Sequence, residues 1–487
     1  MAKSNSISSS MIFMTMERYS IMLFQMVLQI VMARILSPEH YGIVAMMAVF
    51  ISLANVFIND GFNRALVQKK DANDDDYATA FTINLIIGIF LYIIIFISAP
   101  YIASFYNIEE IKVCIRVLAL ILVFGSVNCI QVAIANRFMA FGSLFKCNFI
   151  ASVLSGVTGL LCAINGLGVW SLIIQQLLNY TILSIILFRV HKWKPRLYIG
   201  RENAHSMFSF GWKMLVAALI SQLFDELNSL IIGKKYSSAD LAYYKKGEQL
   251  PSMIVSGMTT SISSVMLAAF SRFQADRIEL HKLIKKTIAV NSFIVFPILG
   301  LFAIVAKPAI SLLLTDKWLP AVPFVYLICI TRCLYPTDSA QVQAIAAVGR
   351  SDMRLKMEFF KKAIMISLLI PAIKYGPIAI AISAAISSIC SVIVAAIGCQ
   401  ICTGYKISNT FKELFPILVV TILSIAPLYL FTLLPLGRFV LILVQGGTGV
   451  ALYILFSRLF NLYGYGYIKQ FLLTKLEGFK QSIFFRK

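Results

Sequence analysis

Apolar residues gather along the chain into fourteen runs, at about 12–36, 41–63, 79–100, 113–136, 148–165, 168–188, 208–232, 247–270, 288–306, 322–347, 363–373, 377–400, 414–434 and 439–460. Short polar connections separate them. About 20 apolar residues cross a bilayer as a helix, and in lipid each backbone amide has to be satisfied inside its own segment, so the runs predict helices. The eleventh run is short because Lys361 and Lys362 interrupt its start. In the connection Ser271 to Lys286, Phe273, Ile278, Leu280, Leu283 and Ile284 recur at helical spacing. That pattern predicts a separate amphipathic helix lying on the cytoplasmic face.

The pattern also repeats. ARILSPEHYGI from Ala33 falls without a gap on GKKYSSADLAY from Gly233, a shift of 200, while Pro100 falls on Pro308 and Lys146 on Lys356. A six-segment unit therefore occurs twice, an arrangement that many transporters use to place a substrate site. The predicted organisation is a first lobe at 1–190, a basic linker at 191–207, a second lobe at 208–402, two further helices at 403–462 and a basic tail at 463–487. The linker, RVHKWKPRLYIGR from Arg189, reads either as a lobe connector or as a plain positively charged loop.

Composition agrees with an all-α integral membrane protein: 59% of the 487 residues are hydrophobic, 13% are charged, and mean hydropathy is +0.83. A net charge of +21 would suggest nucleic acid in a soluble chain. Here the distribution says otherwise, because 31 of the 43 Lys and Arg lie in or beside the N-terminus, the even-to-odd connections and the C-terminal tail, leaving 12 in or beside the opposite connections. That asymmetry predicts cytoplasmic N- and C-termini and a multi-pass protein, with anionic lipid headgroups as secondary contacts and no nucleic-acid partner. The first run carries Glu17 and Arg18 and lacks a small-residue cleavage site, so it is expected to be retained as a helix. The nine cysteines lie in or beside apolar helices without accompanying histidines or carboxylates, and the four histidines lie in predicted loops. Neither a metal site nor a cofactor is expected.

Polar groups inside the bilayer are costly and mark a cavity or a partner, which makes their placement informative. Arg18, Gln25 and Gln29 of helix 1 fall within an arc of roughly 40° at helical periodicity. Gln222, Asp225, Glu226 and Ser229 of helix 7 fall within roughly 100°. The repeat maps Gln25 on Asp225 and Gln29 on Ser229. Helices 2 and 8 carry Ser52, Asn55, Asn59 and Asn63 and, in matching positions, Ser252, Thr259 and Ser263. Such repeat-related stripes predict a shared aqueous substrate cavity, against the alternative of polar glue between helices. Arg332, deep in helix 10, either binds an anion such as a diphosphate, matched by its guanidinium fork, or neutralises Asp225 or Glu226.

The layout of six plus six plus two helices, with IGKKYSSADLAYYKKGEQLP from Ile232, DKWLPAVPF from Asp316 and AAVGRSDMRLK from Ala346, resembles the polysaccharide transporter family, which includes the Wzx-type oligosaccharide flippases. The family shares a superfamily with multidrug and toxic compound extruders and lipid II flippases. The resemblance implies a multidrug-and-toxin-extrusion-like fold in which helices 1, 2, 7 and 8 line a central cavity. It also implies an isoprenoid-diphosphate-linked oligosaccharide as substrate, for O-antigen, capsule or exopolysaccharide, and a polysaccharide polymerase as partner in a bacterial inner membrane. This chain departs from the pattern at Asn228, where such proteins often carry Asp. Two other readings stand beside it. One is a cation-coupled drug exporter, expected to have an acidic cavity. The other is a membrane polymerase or ligase, which the short outside loops and the lack of a clustered acid pair disfavour.

Overall fold

A computed structural model describes residues 21, 23–60, 73–137, 140–190, 193, 195–274 and 276–470. Among them every regular element is helical. In chain order the helices are α1 (Leu23–Ile35), α2 (Pro38–Asp60), α3 (Asp74–Tyr106), α4 (Glu110–Leu118 continued by Leu120–Arg137), α5 (Phe141–Ile164), α6 (Val169–Val190) and α7 (Arg201–Lys235). They continue as α8 (Ser238–Arg272), α9 (Arg277–Leu313), α10 (Val322–Ala347), α11 (Ser351–Ala372), α12 (Pro377–Thr403), α13 (Ile407–Ile425) and α14 (Arg438–Leu459). Among the described residues, eleven helical stretches are long and apolar enough to cross a membrane. The other three are α1, described only from Leu23, and α8 and α11, whose charges lower their hydropathy. All fourteen predicted helices are therefore present.

Local signals explain the boundaries. Asn73 and Asp76 form a reciprocal capping box that starts α3, and Asn107 ends it in the left-handed conformation at φ 56°. Ser237 and Asp240 cap α8 in the same reciprocal way, with hydrogen bonds of 3.1 Å in each direction. Pro38 sits at the first position of α2, where its missing N–H leaves no bond unmade.

By packing, the chain divides into a first unit ending at Ala242 and a second beginning at Tyr243. In the first, α5 packs on α6, α4 on α6 and α3 on α4. In the second, α11 packs on α12, α10 on α12 and α9 on α10. The sequence repeat is thus a repeat of packing. The two kinds of boundary differ, however: α7 opens the second copy of the repeat, yet it packs on α2 and α3 in the first unit. Helices α13 and α14 pack on α9 in the second unit, and α13 also meets α12.

Three expectations change. The amphipathic stretch before helix 9 is no separate surface helix: Asp276 caps Ile278 and Glu279, and from Arg277 the helix runs unbroken to Leu313. Its apolar stripe is used internally, since Leu280 and Ile284 are buried in the core of the second unit with Phe270, Tyr405 and Leu414. Helix α11 is also longer than its apolar run, because Lys361 does not interrupt it. The Lys361 ammonium is buried and lies 2.7 Å from Asp338 of α10. His40, His205 and His281 also lie on helices rather than in loops.

The outward faces are apolar. Phe90, Ile93, Ile97 and Tyr101 of α3 are exposed, as are Phe415, Leu418 and Ile422 of α13. On a soluble protein such stripes would be a liability, whereas beside lipid chains they cost nothing.

Candidate functional site

In the first unit the helix 1 stripe joins a network that reaches two neighbouring helices. Gln25 donates to Ser152 of α5 at 3.3 Å, Asn179 of α6 donates to Ser152 at 3.5 Å, and Asn179 also donates to Ser155 at 3.2 Å. Gln29 is half-buried. On α2, Ser52 spends its hydroxyl on its own helix at the Val49 carbonyl, Asn55 is half-buried and Asn59 is exposed. On α7, Gln222 and Glu226 are half-buried, Asp225 is exposed, and Asn228 and Ser229 are buried. Arg18 and Asn63 lie outside the described residues, as do the side chains of Thr259 and Ser263.

The first turns of α2 and the start of α8, repeat-related positions, meet closely. A Cβ on Gly42 would stand 1.8 Å from the Ser238 carbonyl oxygen, so the backbone approach there requires glycine.

In the second unit Arg332 has a partner that the sequence reading did not name. Its guanidinium lies 2.8 Å from Glu248 of α8, not on Asp225 or Glu226. The reason is backbone geometry: Gly247 lets α8 approach Phe324 and Val325 of α10, leaving no room for a Cβ, and Glu248 then faces the arginine one helix over. Lys245 stands 3.6 Å from the same carboxylate. Lys246 donates to Gln249 and lies over the Trp318 ring. Arg332 and Glu248 keep 32% and 27% of their side-chain surface, so the pair faces a partly open space. The Arg332 Nε is buried without a hydrogen-bond partner. Ser252 is half-buried and its hydroxyl is likewise unpartnered.

A second set of intramembrane polar groups escaped the sequence reading. Asn128 of α4 accepts from Ser184 of α6 at 2.7 Å and donates to the Tyr180 carbonyl at 3.1 Å, while Gln131 donates to the Trp193 carbonyl. In the second unit Asp338 of α10 accepts from Ser391 of α12 at 3.2 Å and from Lys361 of α11 at 2.7 Å, while Gln341 donates to Thr410 at 3.1 Å. NCIQV at 128–132 aligns with DSAQV at 338–342 at a shift of 210, the shift that pairs Lys146 with Lys356. The repeat itself was the signal that could have found them.

The linker is held against the first unit. Trp193 packs edge-on against Tyr77 and Phe81, with centroids at 6.4 and 5.9 Å. Arg196 pairs with Asp75, and the Tyr198 and Gly200 amides donate to Thr82 and Thr79 at 3.1 and 3.0 Å.

Comparison with known proteins adds three kinds of likeness. The family described as polysaccharide biosynthesis protein matches residues 31–323. Curated relatives include the teichuronic acid biosynthesis protein TuaB of Bacillus subtilis, 23% identical over 302 residues, 62% of each chain. The lipopolysaccharide biosynthesis protein WzxC of Escherichia coli is 22% identical over 352 residues, 71% of this chain and 70% of that one. The succinoglycan biosynthesis transport protein ExoT of Rhizobium meliloti is 21% identical over 321 residues, 66% and 65% of the two chains. The match thus spans under two thirds of TuaB and ExoT. Among solved structures, the lipid II flippase MurJ in an inward closed conformation superposes with a TM-score of 0.69 at 16% identity, over 92% of this chain and 98% of that one. An inward-facing multidrug resistance MATE transporter gives 0.60 at 16% identity, over 82% and 99%. These two establish the fold.

Proposed function

Because the chain belongs to the polysaccharide biosynthesis protein family, we propose that it is a flippase, moving an isoprenoid-diphosphate-linked oligosaccharide from the cytoplasmic to the outer leaflet by alternating access. The family match over residues 31–323 is the observation that carries this reading. The curated relatives named for lipopolysaccharide and succinoglycan production, and the fold shared with a lipid II flippase, support it.

The charge arrangement around α8 and α10 fits the substrate. Arg332 and Lys245 stand 2.8 and 3.6 Å from the Glu248 carboxylate, two cations gathered on one acid. A diphosphate head presents two fixed negative charges and a row of acceptor oxygens that a partly exposed guanidinium binds through paired hydrogen bonds. Within the first unit, Gln25, Gln29, Asn55 and Asn59 offer neutral donors and acceptors of the kind that sugars need. The lipid tail stays in hydrocarbon. The protein acts in this reading as a transporter rather than an enzyme, in a bacterial cytoplasmic membrane with both termini inside, beside a polymerase that uses the flipped unit.

A cation-coupled drug exporter is the second reading, favoured by the MATE likeness and by Asp225 and Glu226 on α7. Deleting the protein should make a lipid-linked oligosaccharide accumulate in the inner leaflet and abolish the surface polysaccharide, both reversed by a plasmid copy. Normal polysaccharide with a new sensitivity to cationic drugs would select the exporter instead.

A further inference from the structure

The second unit holds an ion pair where the first holds an amide and a methyl group. At the shift of 210, Asp338 corresponds to Asn128 and Lys361 to Ala151, and Asn128 and Ala151 are both buried. Both Asp338 and Asn128 accept from a serine of the sixth helix of their repeat copy, Ser391 of α12 or Ser184 of α6. The surrounding packing therefore accommodates a neutral pair, and a buried ion pair is weak support for stability, since its desolvation offsets its attraction. Some use other than holding the helices together is implied.

The geometry supplies that use. Lys361 is 8% exposed, and its ammonium sits 2.7 Å from Asp338. One turn earlier on the same helix, Glu358 stands 3.9 Å away with 46% of its side chain exposed. The lysine thus lies between two acids, one inside the helix bundle and one toward its surface. The charges that act on Asp338 are Lys361 and Glu358, both on α11. Around Asp338 the other elements bring neutral groups, Ser391 from α12, Ser292 from α9 against Thr337, and Thr410 from α13 against Gln341, while the Glu248 carboxylate of α8 is paired with Arg332, six residues earlier on α10. Asp338 lies nine residues, about 14 Å, from the end of α10.

We propose that Asp338, Lys361 and Glu358 form a proton-operated switch within the second unit. In one state the Asp338 carboxylate holds Lys361 and ties α10, α11 and α12 together. When a proton binds Asp338, its carboxylate becomes a neutral acid, Lys361 keeps its own proton, and its counter-ion becomes Glu358. One proton is taken up, no other covalent bond changes, and the Lys361–Asp338 hydrogen bond is released. The inward tie of α11 to α10 is then lost, leaving two discrete arrangements whose balance one proton sets. Coupling this balance to substrate movement rests on the flippase reading; the switch does not.

The test uses the full-length protein reconstituted in liposomes. Infrared difference spectra between alkaline and acidic buffer should show a protonated-carboxyl band that disappears in Asp338→Asn and shifts its midpoint in Glu358→Gln. The double variant Asp338→Asn/Lys361→Ala copies the first unit and should remain folded, with a melting temperature close to wild type. In a deletion strain it should restore surface polysaccharide at least about tenfold less well than wild type, within the range of coupling factors for linked sites. A titrating band unaffected by Asp338→Asn would overturn the switch, and a stable double variant exporting as well as wild type would overturn its coupling to substrate movement. Were wild type itself unable to restore polysaccharide, the flippase reading would fall and the infrared result alone would decide the switch.

Discussion

Arg332 and Glu248 approach to 2.8 Å with about a third of each side chain still in contact with solvent, so screening limits what the pair adds to stability. Arg332→Ala should lower stability by about 1 kcal/mol, and adding Glu248→Gln should recover most of it. Thermal unfolding in detergent measures both; a double variant less stable than the single would show that the arginine acts through something else. Gly42 is a sharper case, because the contact it allows is backbone to backbone and has no flexible end to give. Gly42→Ala should cost about 1–3 kcal/mol, and a variant melting like wild type would contradict the contact. At this scale the sequence identified Arg332 as a buried charge in need of a partner. It missed Glu248, which stands at the polar edge of the eighth apolar run and so reads as an end-of-helix charge. Asp338 was missed for the opposite reason: it sits alone in its run, and Lys361 looked like an interruption of another.

The helices show a similar division. Apolar run length was enough to find every one of the fourteen, yet it misplaced the ends wherever polar residues are used internally. The stretch before Leu280 illustrates why, since an amphipathic stripe looks the same whether its apolar face meets lipid headgroups or a neighbouring helix. Here Leu280 and Ile284 share a buried core with Leu414 and Ile417 of α13 and with Tyr405 after α12. The linker poses the same choice between a loose connection and a fixed one. Its basic residues said only that it is cytoplasmic. Trp193 and the amides of Tyr198 and Gly200 hold it along the first turns of α3. Trp193→Ala should destabilise by about 2 kcal/mol, given that the ring is only half-buried. It should also speed amide exchange at residues 198–200. Unchanged exchange there would mean that the linker is held by something other than this contact.

For the whole molecule, the split of 31 against 12 cationic residues makes topology the natural test. Reporter fusions after residue 200 and at the C-terminus should be cytoplasmic and one at Asn107 external; an external C-terminus would overturn the orientation. Helix number, the internal repeat and the charge asymmetry follow from one-dimensional properties: run length against bilayer thickness, similarity at a fixed shift, and cations counted by connection. The sequence alone therefore determined the fold class, the family resemblance and the expected orientation. Tertiary structure decided which unit each helix packs into, so that α7 belongs by sequence to the second repeat and by packing to the first. It decided as well which acid meets which base. An ion pair depends on close approach of two helices distant in sequence, set by small residues such as Gly247, and no local pattern carries that distance.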